Sequence, residues 1–244
     1  MENQTAIIIP ARYESTRLRG KPLIEVGGKP IIQWVFEKAV KANLADRVII
    51  ATDNEQIYET SLLFGAEAEM TLDTHNSGSD RIAEVVERHP EIGYIINLQG
   101  DEPMINPENI DIVIGLIKNN PDADISTLVR EIQDEKEVEN PNLVKCVFNN
   151  DGYAMYFSRS KIPFERNMGH SKFYGHLGIY GYKRDALFRM TGANQTSLEL
   201  SESLEQLRAL QMGMKIKLAV VDDSPIGIDT IEDLNNFKTK VMMN

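Results

Sequence analysis

The sequence predicts an α/β fold: a three-layer arrangement with a mostly parallel sheet between helices, and a mixed α+β lobe inserted before the last elements. Three observations predict it. Short apolar runs without alternation recur through the first hundred residues, as strands buried on both faces do. Segments with apolar residues at helical spacing alternate with those runs, the signature of strand–helix–strand units. Beyond about Asp122 the alternation gives way to strands separated by turns.

Ala6 to Ile9 is the first buried strand, closed by Pro10, and the polar loop Ala11 to Lys21 follows it. Ile31, Ile32, Val35, Phe36, Ala39 and Val40 recur at helical spacing. Val48 to Ala51 reads as a second strand, Asn54 to Phe64 as a second helix and Glu67 to Met70 as a short strand. Asp80 to Arg88 is helical with Ile82, Val85 and Val86 inward. Tyr94 to Leu98 is a buried strand running into Gln99-Gly100-Asp101. In the lobe, Asp124 to Arg130, Leu143 to Phe148, Tyr153 to Ser158 and Leu177 to Lys183 read as strands. Asn149-Asn150-Asp151-Gly152 is a hairpin signal between two of them. Leu200, Leu204, Leu207 and Leu210 form the apolar stripe of one helix, Lys215 to Val221 a strand, and Thr230 opens a final helix with Asp233 as its capping partner. The expected organisation is one domain over residues 1–244, with the lobe at roughly 122–198.

Bulk properties narrow the function. With 244 residues and 42% hydrophobic content the chain can build a substantial core. A net charge of −11 argues against binding nucleic acid or an anionic membrane through the overall field. Cys146 is the single cysteine, which excludes an intrachain disulfide and a cysteine-rich zinc site. His75, His89, His170 and His176 lack zinc-site spacing. No apolar run reaches the roughly 20 residues of a membrane helix, and the first residues lack the basic and apolar parts of a signal peptide. A cytoplasmic protein is therefore expected.

Chemistry concentrates at the carboxyl ends of the first strands, where open α/β sheets bind ligands. The first loop sets Arg12, Arg17, Arg19 and Lys21 within ten positions of an acidic chain. Such cations give charge-assisted hydrogen bonds to phosphate; the competing reading is a solvated basic loop. The Gly-Lys pairs are not followed by Ser or Thr, so a Walker A loop is excluded, and no G-x-G-x-x-G is present. Asp101 and Glu102 follow a buried strand, and Asp229 stands late in the chain. Mg²⁺ binds through one or two carboxylates together with phosphate and water, so these residues and the basic loop suit a metal–polyphosphate site. A cap or a turn is the alternative for each aspartate alone.

The sequence resembles the sugar-acid cytidylyltransferases. The resemblance is carried by Pro10-Ala11-Arg12-Tyr13, Ser15, Arg17-Leu18 and Gly20-Lys21-Pro22-Leu23. It continues through Ala51-Thr52-Asp53, Ser77-Gly78 with Asp80-Arg81, and Asn97-Leu98-Gln99-Gly100-Asp101-Glu102-Pro103. Later matches are Tyr156-Phe157-Ser158-Arg159 with Ile162-Pro163, His176-Leu177-Gly178-Ile179-Tyr180, Leu204-Glu205-Gln206-Leu207-Arg208 and Asp229-Thr230. These motifs appear in order over nearly the whole chain, although Arg19 stands where the family often has proline. The resemblance implies a nucleotide-diphospho-sugar-transferase-like, Rossmann-like fold and a homodimer. It also implies a reaction in which CTP and 3-deoxy-manno-octulosonate (Kdo) give CMP-Kdo and pyrophosphate. It further implies that Arg12 and Lys21 hold the triphosphate, that Pro10, Ala11, Ser77 and Arg81 lie near base and ribose, and that Asp101 and Asp229 bind Mg²⁺. Gln99, Arg159, His176, Tyr180, Glu205 and Gln206 match the sugar pocket.

Overall fold

The computed structural model describes residues 3–14, 18–167, 169–222 and 227–243. Ser15, Thr16 and Arg17 of the basic loop therefore lie outside the described residues. In chain order the elements are β1 Gln4–Ala11, a 3-10 turn Lys21–Leu23, β2 Glu25–Val26, β3 Lys29–Pro30, α1 Ile31–Ala39, β4 Arg47–Thr52, α2 Glu55–Leu63, β5 Glu67–Met70, α3 Gly78–Arg88, β6 Ile92–Asn97 and α4 Pro107–Asn119. There follow β7 Ile125–Glu131, α5 Glu135–Glu139, β8 Lys145–Phe148, β9 Ala154–Ser158, β10 Tyr174–Lys183, α6 Arg184–Thr191, α7 Ser197–Glu202, α8 Gln206–Gln211, β11 Ile216–Val220 and α9 Ile231–Met243. The chain divides into two compact units, Met1–Asp111 with Pro225–Asn244, and Ile112–Ser224. The segment 122–198 falls inside the second.

In the first unit the strand order is β6-β1-β4-β5, and every pairing is parallel. Ala6, Ile7, Ile8 and Ile9 of β1 are fully buried, as befits a central strand with a neighbour on each side. Asn54 caps α2 by accepting from Ile57 N. Ser77 and Asp80 form a reciprocal capping box at α3. From β1 the chain steps to β4 and β5 on one side and only later places β6 on the other. That reversal opens a crevice beyond the carboxyl ends of β1 and β6, where the basic loop and Gln99-Gly100-Asp101 emerge. A small core of Val26, Ile31, Ile228, Leu234 and Phe237 fastens α9 to the segment after the basic loop. There Trp34 meets Phe237 edge-on, with ring centroids 5.8 Å apart. Thr230 and Asp233 cap α9 as expected: Asp233 N donates to Thr230 Oγ1 (3.1 Å) and Thr230 N to Asp233 Oδ2 (2.8 Å).

In the second unit β7 pairs parallel with β11 and antiparallel with β10, and β8 pairs with β10 and β9. The β8–β9 hairpin turns at Gly152, whose φ of +71° explains the glycine there. The expected fold class, α/β with a mostly parallel mixed sheet and helices on both sides, agrees with this architecture.

One expectation is corrected. The leucine stripe from Leu200 to Leu210 is not one helix but two short ones, α7 and α8. The break is Ser203, which adopts the left-handed region (φ 51°, ψ 50°) and lets Leu204 N donate back to Glu199 O. Leu204 and Leu207 remain buried, whereas Leu200 faces out. Three helices, α4, α5 and α6, are additional to those expected.

Candidate active site

A cavity of about 320 Å³ lies at the crevice of the first unit. Pro10, Ala11 and Arg12 line it from the end of β1, Lys21 and Pro22 from the 3-10 turn, Gly78 from the start of α3, and Gln99 to Asp101 from the segment after β6. Gly20, with φ +67°, gives the loop the left-handed turn that delivers Lys21, and Gly20 N donates to Tyr13 O to close it. Gly100 lets two backbones approach: a Cβ there would sit 2.9 Å from Pro10 O. Lys21 Nζ donates to Asp101 Oδ2 at 2.6 Å and to Ile228 O at 2.8 Å, and lies 3.6 Å from Asp229 Oδ1. Residues more than a hundred positions apart thus meet around one ammonium.

The second unit builds a different surface around β10. A register shift between Leu177 and Tyr180 sets His176 opposite Val129 and Tyr180 opposite Thr127. In a regular strand, residues four apart lie about 13 Å from each other; the bulge brings the His176 and Tyr180 rings to 5.2 Å between centroids. Phe157 meets the other side of His176 edge-on at 5.1 Å. The Thr127 hydroxyl donates to Ile179 O (2.7 Å), so at 2.9 Å it accepts from His176 Nε2. That assignment makes His176 the Nε2–H tautomer and leaves Nδ1 as an acceptor. Burial among these groups pushes the His176 pKa down to about 3, so the ring is neutral near pH 7. Burial, with the charges of Tyr182 and Glu205 nearby, raises the Tyr180 phenol well above its usual range and keeps its hydroxyl a donor.

Arg159 stands at the end of β9. Its Nε donates to Glu202 O (2.7 Å), Nη1 to Pro141 O (3.1 Å) and Nη2 to Ser203 O (3.4 Å). Glu202 in turn accepts from Ser158 Oγ (2.6 Å) and Arg159 N (2.9 Å). Fully buried Lys145 donates to the carbonyls of Asn140, Leu143 and Arg159. Arg208 grips Glu199 bidentately, at 2.8 and 2.5 Å, and so pins α8 to α7.

The family model for cytidylyltransferases matches residues 6–216. The chain is 48% identical over 237 residues to 3-deoxy-manno-octulosonate cytidylyltransferase of Fusobacterium nucleatum, covering 97% of this chain and 96% of that one. It is 49% identical to the enzyme of the same name from Thermodesulfovibrio yellowstonii, covering 94% and 95%. The chain belongs to the cytidylyltransferase family. Among solved structures it is similar to a CMP:2-keto-3-deoxy-manno-octonic acid synthetase complexed with CTP, with a TM-score of 0.95, 38% identity and coverage of 98% and 99%.

Against this family the expected site residues fall into three groups. Pro10, Ala11, Arg12, Lys21, Gln99 and Asp101 line one cavity, and Asp229 joins Lys21 beside it. Ser77 and Arg81 are placed otherwise. The Ser77 hydroxyl caps α3 by accepting from Asp80 N (3.2 Å). The Arg81 side chain is buried, bound to Asp53 Oδ2 at 2.6 Å and to Thr71 Oγ1. Arg159, His176, Tyr180, Glu205 and Gln206 belong to the second unit, and Gln99, held by Asn97 Oδ1 at 2.9 Å, to the first. Four residues that the sequence did not single out hold the surface around β10 and the α7–α8 segment: Thr127, Lys145, Glu199 and Glu202. Glu199 carries the Thr196-x-x-Glu199 spacing of a capping box; the other three carry no spacing signal, because each acts through a partner elsewhere in the chain.

Proposed function

We propose that this cytidylyltransferase transfers CMP from CTP to 3-deoxy-manno-octulosonate, releasing pyrophosphate and activating the sugar for lipopolysaccharide synthesis. The observation that carries the reading is the meeting of Asp101, Lys21 and Asp229 beside the cavity that Arg12 lines at the strand-order reversal, in a chain nearly half identical to enzymes of that name. Arg12 and Lys21 bind the polyphosphate and stabilise the charge that grows on the departing pyrophosphate. Asp101 and Asp229 offer hard carboxylate oxygens within the reach of a single cation, the donor set that suits Mg²⁺. When bound there, Mg²⁺ supplies Lewis-acid polarisation of the α-phosphoryl group. On the sugar side, Arg159 keeps N–H groups beyond its three carbonyl contacts for the sugar carboxylate. His176 Nδ1 accepts from a sugar hydroxyl, and Tyr180 donates. The sugar hydroxyl attacks the α-phosphorus directly: a phosphorus–oxygen bond forms as the bond to pyrophosphate breaks, and the hydroxyl proton is released to solvent. Cys146 takes no part, since burial raises its thiol far above the usual range. Homodimerisation and a cytoplasmic place of action complete the proposal by kinship with the family; no helix among the described residues is long and apolar enough to cross a membrane.

Pyrophosphate release from CTP tests the reading, measured with Kdo, its amino analogue and a nonulosonic acid, each with Mg²⁺ and after chelation. Kdo should be the preferred acceptor and chelation should abolish turnover. Release with no sugar acid at all, or full activity in metal-stripped enzyme, would refute the corresponding half.

A further inference from the structure

The two carboxylates assigned to the divalent ion already hold a cation, and that cation belongs to the chain. The Lys21 ammonium lies 2.6 Å from Asp101 Oδ2 and 3.6 Å from Asp229 Oδ1, and it also donates to Ile228 O at 2.8 Å. Its side chain is only 13% exposed, so the position is one the protein has built around it. Mg²⁺ bound to the same Asp101 oxygen would sit about 2 Å from it. It would then compete with the ammonium for the same lone pairs and face a second positive charge at close range. The two cations repel, so each weakens the other's hold on Asp101.

We propose that Lys21 is a stand-in cation: its ammonium occupies the divalent-ion position in the nucleotide-free protein, and the polyphosphate must draw it away before the ion can bind. The proposal rests on the metal reading above and adds an order of assembly to it. The backbone supports a swing of the side chain alone. Gly20 N bonds to Tyr13 O, Lys21 N to Leu18 O and Ile24 N to Lys21 O, which holds the main chain around Lys21 in place. The four-carbon stem is then the moving part, and a lysine head is a compact charge on a flexible stem. Its destination is close, since Lys21 lines the same cavity as Arg12 and the end of β1. The charges favour the exchange. Two carboxylates facing one ammonium keep a net negative charge; a polyphosphate offers the lysine a stronger anion, and the vacated pair is then matched by a doubly charged ion. Nucleotide and metal therefore promote each other's binding, and the promotion is reciprocal. The empty protein does not collect stray divalent ions, because its own lysine fills the position.

Mn²⁺, a carboxylate-seeking ion visible by its paramagnetism, tests this without reference to turnover. Metal-stripped, nucleotide-free protein is titrated with Mn²⁺ and the free ion is followed by electron paramagnetic resonance. Wild type should bind no more Mn²⁺ than Asp101→Asn. Lys21→Ala and Lys21→Gln should each gain a site at least about tenfold tighter, the lower range of ordinary coupling between sites. The gain should vanish in Lys21→Ala/Asp101→Asn. The glutamine variant keeps a long polar side chain, so a folding defect peculiar to alanine would not leave the matter open. Wild type binding Mn²⁺ as tightly as the Lys21 variants, or variants that bind no better than wild type, would overturn the stand-in role. Neither outcome touches the metal reading itself, which falls only if metal-stripped wild type turns over CTP and sugar.

Discussion

The buried Glu199–Arg208 pair permits a quantitative test of how the sugar-side surface is held. Both side chains are 5% exposed, and the guanidinium meets the carboxylate through Nε at 2.8 Å and Nη2 at 2.5 Å while Nη1 donates to Met190 O at 3.0 Å. Burial alone pushes the Glu199 carboxyl upward. Arg208, Thr196 N–H and Gln195 outweigh it and hold the carboxyl below its usual range. Arg208→Met keeps the apolar stem but strands that carboxylate, leaving it the Thr196 and Gln195 contacts. Removing one partner of a buried pair costs about 3–5 kcal/mol; the surviving contacts place this variant near about 3 kcal/mol. Glu199→Gln preserves the helix cap, because glutamine serves a capping box, but it takes the nearer carboxylate from the guanidinium, leaving Glu205 at 3.7 Å, and should cost about 2–3 kcal/mol. The double variant removes both charges of the Glu199–Arg208 pair and should lose less than the sum of the two, by about 1–3 kcal/mol of coupling. Urea unfolding of the four proteins, with midpoints and slopes compared, measures the cycle. Additive losses, or Arg208→Met within about 0.5 kcal/mol of wild type, which is the range of an ordinary surface change, would refute the view that this pair fixes α8 and hence Glu205 and Gln206.

Three further outcomes are expected. His176 has a folded pKa near 3, below its unfolded value of about 6.5. Its contribution to stability is therefore complete above about pH 6.5 and is lost as the pH falls from there toward 3; between pH 7.5 and 4.5 wild type should lose roughly 2–3 kcal/mol more than His176→Gln, and parallel pH profiles of the urea midpoints would count against the neutral ring. Gly100→Ala places a methyl 2.9 Å from the Pro10 carbonyl and should cost about 1–3 kcal/mol by overpacking while weakening CTP affinity; an unchanged Tm together with unchanged nucleotide titration would show the approach to be slack. Asp101→Asn and Asp229→Asn should each depress kcat severely, and the double variant should be far less than multiplicatively worse; fully multiplicative losses would mean that the two carboxylates do not serve one ion.

The legible parts of the fold are those in which a single segment decides its own state. β5 is found at Glu67–Met70 as read, and β1 and β4 extend the expected runs by only a residue or two at each end. A strand buried on both faces has to be apolar throughout, and that is visible locally. The α7–α8 break was not visible, because leucines at helical spacing satisfy one helix or two. What separates them is a left-handed Ser203, with Arg208 reaching back to Glu199. The helix α4 did have a local signal, Ile110, Val113, Ile114 and Ile117, all fully buried. The cavity residues after β1 and β6 could be placed because strand ends in such sheets converge. That Lys21 would stand between Asp101 and Asp229 could not be placed, since it depends on Ile228 and the approach to α9 arriving from the other end of the chain. The clamp of Lys145 and Glu202 around Arg159 escaped for the same reason: a lysine in a strand and a glutamate at a helix end look like surface residues until their partners are known.

The first unit is assembled from both ends of the chain, and this bears on its biosynthesis. A nascent polypeptide that has completed β1, β4, β5 and β6 already displays Lys21 and Asp101, yet it lacks Asp229 and the helix that covers Val26 and Ile31. Until α9 docks, that apolar seat stays open to solvent and Lys21 has Asp101 beside it without Asp229. An incomplete translation product is thus exposed to quality control and poorly equipped to consume CTP. The chain's single tryptophan, Trp34, sits at the seam against Phe237. Its emission would register the moment this helix arrives, making the docking of α9 and the arrival of Asp229 beside Lys21 one optically observable event.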